Sequence, residues 1–172
     1  HIQGPIGDDA TFEQGGLYFQ YQHDLSEQLT LTWGSRYNTI SSNIGRFEDP
    51  QTNLASSYRD NWSSWVHSLR ANFAISDTGS LWGGLSQSFR APNIADISRY
   101  GKSRSDEFEV AATELNPETF VTAEVGYKIS SARWWLSSSI YHTSISDFIT
   151  STPTGRIVNG LTEVSKRNSA EG

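Results

Sequence analysis

Alternation of apolar and polar residues, in runs of about ten, is the feature that most constrains the fold of this chain. In residues 14–23, the side chains of Leu17, Phe19 and Tyr21 fall on every second position. Successive side chains of a β-strand point to opposite faces, whereas a helix would repeat its apolar positions every three or four residues. Further runs occupy residues 29–41, 62–75, 80–90, 119–129 and 133–149. The sequence therefore predicts an all-β chain with six strands and the start of a seventh.

Charged side chains within these runs lie on the face opposite the apolar series. The charged positions are Arg36, Arg70, Glu124 and Lys128. The apolar face is predicted to carry Leu17, Leu31, Leu69, Phe73, Leu85, Val121, Val125 and Leu136. A soluble β-sandwich also alternates, because one face of each of its sheets is buried. Alternation alone therefore leaves a sandwich and a membrane barrel open.

The lengths of the connections separate these two folds. Short links at 24–28, 76–79 and 130–132 alternate along the chain with long links at 42–60, 91–118 and 150–165. In an antiparallel up-and-down meander, alternate connections lie at the same end of the sheet, so every long loop would lie at one end. Short turns at one end and long loops at the other are typical of outer-membrane barrels. We therefore expect a transmembrane barrel segment whose long external loops are the three long links.

Composition is consistent with this architecture and argues against several functional classes. Hydrophobic residues make up only 35% of the chain while aromatic residues reach 12%, which suits thin apolar bands on strands. The formal charge of −6 makes nucleic-acid binding improbable, and the absence of cysteine excludes thiolate metal sites. No nucleotide-binding or hydrolase motif occurs. We expect no enzymatic activity, no cofactor and no metal site in this chain.

The end of the fourth run carries a more specific signal. Phe89, Arg90, Ala91, Pro92 and Asn93 end this strand, because proline has no N–H to donate to a sheet. The following strand is preceded by a second motif, which consists of Leu115, Pro117 and Glu118, and then carries Glu124 and Gly126. The order and spacing of these motifs resemble those of the TonB-dependent outer-membrane receptors, and the resemblance covers roughly residues 14–172.

The resemblance implies a function and several partners. The chain would be part of the wall of a barrel of about 22 strands with a plugged lumen, located in the outer membrane of a bacterial cell. The complete receptor would take up a metal chelate of the siderophore, haem or cobalamin type. It would contact outer-membrane lipid and a TonB-type energy-coupling protein, the latter through a part absent from residues 1–172. Haem receptors of the family often carry a histidine in the loop that corresponds to 91–118, and this loop has none.

Loop 91–118 also contains the candidate ligand contacts. Arg99, Tyr100, Lys102 and Arg104 would suit an anionic, planar, oxygen-rich chelate, because guanidinium groups pair with carboxylates and stack on rings. The alternative is a solvated loop whose charges bind nothing. Arg90 shares the face of the polar residues, and we expect it to pair with an acidic neighbour, for which Glu124 is a candidate. The motif residues as a whole are expected to be structural.

Two other functions stay open at this point. One is a soluble β-sandwich that binds a carbohydrate-type ligand on its exposed tryptophan and tyrosine rings. The other is a passive porin or an adhesin barrel, which would share the strand pattern but not energy-coupled uptake.

Overall fold

The computed structural model describes residues 5–103 and 106–169, and it consists almost entirely of strands. In chain order the elements are β1 Asp8–Asp24, β2 Leu29–Glu48, β3 Ala55–Ser76, β4 Gly79–Arg90, α1 Ile94–Ser98, β5 Gly101–Lys102, β6 Glu107–Val110, β7 Glu118–Ser130, β8 Trp135–Ser146, β9 Phe148–Val158 and β10 Leu161–Ser169. No helix among these residues is long and apolar enough to cross a membrane.

The six long strands form one antiparallel sheet in the order β1-β2-β3-β4-β7-β8. Each strand pairs with its predecessor among the six, which is the predicted up-and-down meander. A second sheet has the order β5-β6-β10-β9. It is formed by parts of loop 91–118 and by the last hairpin, at the end of the large sheet where β4 ends and β7 begins. Loop 91–118 is therefore tied to a part of the chain that follows it by about fifty residues.

The apolar face of the large sheet is exposed. Leu69 lies opposite Leu85, and Leu85 lies opposite Ala123, so the apolar positions of neighbouring strands share one face as predicted. Leu17 is 75% exposed and Leu85 is 57% exposed. In a β-sandwich these side chains would face a second sheet and be buried. The exposed apolar face instead fits the wall of a membrane barrel, whose outward band is apolar.

Two of the three predicted long loops, 42–60 and 150–165, are mostly strand in the structure. Most of 42–60 is strand, because β2 and β3 extend to Glu48 and Ala55 and leave only a tight turn. Asp49 closes this turn by accepting hydrogen bonds from the Gln51 N–H and the Thr52 hydroxyl. Most of 150–165 is the β9–β10 hairpin, whose turn residues Asn159 and Gly160 both have positive φ. An Asn-Gly pair is a strong hairpin signal, so this turn is one that the sequence indicates.

The last predicted strand, 133–149, is divided at Asp147. This residue has φ of 56°, a left-handed conformation that interrupts a strand. Before the break β8 pairs with β7, and after it β9 pairs with β10. β10 is a further strand at the position of the predicted seventh, but it begins within the predicted loop 150–165 and pairs with β9 and β6 in the second sheet.

A small hydrophobic core lies at the loop end, on the polar face of the large sheet. Ile44, on the same face of β2 as Ile40, contacts Phe47 and Ile97, and all three are buried. Ile97 belongs to α1, so loop 91–118 folds inward over the face that carries the polar side chains. In a barrel this is the lumen side, and the loop accordingly covers part of the mouth.

Candidate functional site

The arginine at the end of β4 and the glutamate at the start of β7 face each other directly. Arg90 and Glu118 are register partners, and the Arg90 Nε donates to the Glu118 Oε2. Glu118 also accepts the Ile149 N–H through Oε1 at 2.8 Å. Glu124, the candidate partner from the sequence, lies opposite Gly84 instead and does not pair with Arg90. The two sequence motifs therefore meet in one ion pair at the rim of the sheet.

Asp96 accepts a second hydrogen bond from Arg90 and completes the capping box of the short helix α1. The Arg90 Nη1 donates to the Asp96 carboxylate at 2.9 Å, and the Lys166 Nζ donates to it at 3.0 Å. The Asn93 side chain accepts the Asp96 N–H, and the Asp96 side chain accepts the Asn93 N–H, which is a capping box. Burial acts to raise the pKa of Asp96, but hydrogen bonds from Lys166, the Asn93 backbone and Arg90 outweigh it and lower that pKa.

Lys166 extends the chain of charges to a third carboxylate. Its Nζ lies 3.8 Å from Glu109, which also pairs with the Arg99 Nε at 3.2 Å. We call the six residues Arg90, Asp96, Arg99, Glu109, Glu118 and Lys166 the rim network. Its three carboxylates are buried, while its three cations are partly exposed. The network joins the ends of β4 and β7 to α1, β6 and β10.

The three candidate ligand contacts that the structure describes have different surroundings. Arg99 is engaged with Glu109, and Tyr100 packs against Phe47 with ring centroids 6.4 Å apart. Burial, with Asp49 and Glu163 nearby, raises the pKa of Tyr100. Lys102 is 62% exposed and its Nζ lies 2.7 Å from the carboxylate of Asp106. Arg104 lies outside the described residues.

The remaining motif residues lie in or beside the rim. Ala91 and Pro92 are buried after the last residue of β4, and Phe89 lies on the apolar face of that strand. Leu115 is buried with Ala112 and Ile149 in a second small cluster, and Pro117 directly precedes β7.

A polar recess of about 360 Å³ lies on the polar face of the large sheet, between the rim network and the short turns. Gly84 lies between Arg70 and Glu124 in one cross-strand row, and these residues line the recess. The Arg70 guanidinium lies 5.1 Å from the centre of the Trp82 ring, a cation–π contact. The Trp82 ring covers Gly126, where a Cβ would come within 2.7 Å of it. This explains the glycine that follows Glu124 in the motif.

Sequence reasoning missed the roles of Glu109 and Lys166. The sequence pattern assigned no role to either residue. Their meeting depends on β6 pairing in parallel with β10, which no local pattern indicates. Within residues 5–103 and 106–169, no group of three or more His, Asp or Glu side chains converges to hold a metal ion.

Comparison with known proteins identifies the family. The family model described as "TonB dependent receptor-like, beta-barrel" matches residues 4–171. Among solved structures, the Serratia marcescens hemophore receptor HasR, in complex with its hemophore HasA and heme, is 16% identical with a TM-score of 0.70. The match covers 91% of this chain and 29% of that one.

Two further structures agree on the fold. The alcaligin outer-membrane receptor FauA from Bordetella pertussis is 19% identical with a TM-score of 0.63, covering 95% of this chain and 25% of that chain. The copper transporter OprC is 17% identical with a TM-score of 0.70, covering 93% and 25%. The chain thus spans less than a third of the length of these three structures. The match over residues 4–171, together with the exposed apolar face, shows that the chain belongs to the TonB-dependent receptor family and forms a segment of its β-barrel.

Proposed function

We propose that this segment forms part of the wall and the external loops of a receptor that takes up a metal chelate across the bacterial outer membrane. The chelate would be of the siderophore, haem or cobalamin type. The observation that carries the proposal is the family match over residues 4–171. The similar structures include a hemophore receptor in complex with heme, an alcaligin receptor and a copper transporter, which are consistent with a metal-containing cargo.

The two faces of the sheet support an assignment of surroundings. The apolar face, with Leu17 and Leu85 exposed, would contact the hydrocarbon of the outer membrane. The opposite face, with Arg70 and Glu124, would line the lumen. Energy coupling to a TonB-type protein would use a part of the receptor outside residues 1–172.

The candidate ligand contacts differ in their availability. The Arg99 Nε is paired with Glu109, so its other guanidinium nitrogens would contact the chelate. Tyr100 is half-buried, so only the exposed part of its side chain would do so. Lys102 is the most accessible described candidate, since its side chain is 62% exposed and Asp106, with which it pairs, is itself exposed. We propose that Lys102, with Arg104 beside it in sequence, meets the anionic groups of the chelate first.

Growth on defined iron sources tests the function. A strain that lacks the full-length receptor should lose growth on one chelate as sole iron source, and the receptor gene should restore it. Removal of the TonB-type protein should abolish that growth as well. Restored growth without the coupling protein would instead support a passive porin and refute the proposal.

A charge reversal tests the ligand contact separately. Lys102→Glu should weaken chelate binding to the purified receptor by about tenfold, since it replaces an attractive charge with a repulsive one. Lys128→Glu is the matched control, because Lys128 is a cation on the polar face of β7, next to the short turns and far from the mouth. Equal binding by Lys102→Glu and the unmodified receptor would exclude Lys102 from the site.

A further inference from the structure

We propose that residues 91–103 and 106–118 form a fixed collar on the inner wall of the barrel mouth and do not act as a lid that opens during transport. The proposal rests on the proposed function, in which a ligand must pass this mouth. Three sets of contacts hold the loop, and their partners lie on β2 with the segment before β1, at the end of β4, and on β10.

The first set of contacts is hydrophobic. Ile97 is fully buried between Ile44 and Phe47 on the lumen face of the wall. The segment before β1 adds polar contacts to Ser98 and Tyr100. The Gly7 N–H donates to the Ser98 hydroxyl at 3.0 Å, and the Tyr100 N–H donates to the Pro5 carbonyl at 3.0 Å. Swinging the loop away would expose Ile97 and break both bonds together.

The second set is the rim network. Asp96 from the loop bonds Arg90 at the end of β4 and Lys166 on β10, and Glu109 adds a weaker contact with Lys166. Because both carboxylates are buried and desolvated, loss of their cations would leave buried charges unpaired. The loop cannot leave while keeping these pairs, since the partners are on other elements.

The third set is strand pairing. β6 pairs in parallel with β10 from Glu107 opposite Thr162 to Val110 opposite Ser165. β10 in turn pairs with β9. By contrast, the turn 49–54 is exposed and its hydrogen bonds are local ones around Asp49. Local opening requires little free energy where contacts are few and exposed, so movement belongs to such turns and not to loop 91–118.

A reversible tether tests the collar in the full-length receptor. Glu107→Cys with Thr162→Cys places two thiols on directly paired residues, a separation that a disulfide can span. Oxidised and reduced receptor should take up the chelate at rates within twofold of each other. A loss of tenfold or more on oxidation, with recovery on reduction, would show that the loop must move and would overturn the proposal. The single variants control for effects of each cysteine.

Hydrogen exchange tests the collar without relying on uptake. The Ile97 N–H bonds the Asn93 carbonyl, and the Ala112 N–H bonds the Ile97 carbonyl at 2.9 Å. In the unliganded receptor both amides should exchange within about tenfold of those in the middle of β4. Exchange a hundredfold faster at both positions would contradict a fixed collar. If they are protected while no chelate supports growth, the collar stands and the proposed function fails.

Discussion

Removal of the Asp96 carboxylate should release α1 from the rim without unfolding the wall. Asp96→Ala deletes two charge-assisted hydrogen bonds, from Arg90 and Lys166, and the capping interaction with Asn93. Each charge-assisted bond contributes about 1.5–3 kcal/mol, and a cap about 1 kcal/mol. Arg90 and Lys166 are partly exposed and retain Glu118 and Glu109, so water and these partners recover part of the loss. We expect a net loss of about 3 kcal/mol in the local opening free energy.

Amide hydrogen exchange of the full-length receptor measures this loss directly. A change of about 3 kcal/mol corresponds to roughly a hundredfold faster exchange at the Ile97 amide, since 1.4 kcal/mol is a factor of ten. Asp106→Asn is the matched control, because it removes a carboxylate of the same loop that is fully exposed. Exchange in Asp96→Ala that stays within threefold of the unmodified receptor would refute the reasoning that the rim network holds the loop.

Three other measurements follow from particular residues. Gly126→Ala should reduce the folded fraction in unheated gels, because its Cβ would lie 2.7 Å from the Trp82 ring, whereas Gly83→Ala meets nothing closer than 3.4 Å and should fold normally. Leu85→Lys should destabilise the membrane-inserted barrel by about 2–4 kcal/mol in a urea titration if this face contacts lipid, while the same change at Ser86 on the other face should be nearly neutral. The lowered pKa of Asp96 means that its contribution is complete above about pH 4, the ordinary aspartate value, and is lost as the pH falls through the lower, folded-state value. Exchange at the Ile97 amide, taken relative to the intrinsic exchange rate at each pH, should therefore rise only below about pH 4, and a rise between pH 7 and pH 5 would contradict this.

The strand faces could be predicted because alternation is a local property. Leu69, Leu85 and Ala123 lie on one face in the structure since each strand keeps its period of two and the register joins like with like. The short turns constrain this register further. The same rule could have extended β2, because Ile40, Ser42 and Ile44 continue the polar-face series beyond the predicted end.

The rim network could not be predicted because its members are far apart in sequence. Lys166 is seventy residues from Asp96, and Glu109 reaches it only through a parallel strand pair. The burial of a charged side chain depends on which elements cover it, and a polar loop gives no periodic signal of that. Arg90 pairs with an acidic residue, as predicted. That residue is Glu118 and not Glu124, because the register of β4 against β7 places Glu118 opposite Arg90 and Glu124 opposite Gly84.

The position of the Arg90–Glu118 pair separates the roles of the two motifs and of the loop between them. Arg90 and Glu118 are directly opposite in an antiparallel pair, so their Cα atoms, which are the two ends of the loop, are about 5.5 Å apart. The entropy of closing such a loop grows only slowly with its length, so the rim tolerates loops of very different size. The two motifs can therefore specify the rim whatever ligand is carried. Ligand selectivity is then expected in the part of the loop that the collar leaves exposed, around Lys102, and not in Arg90 or Glu118.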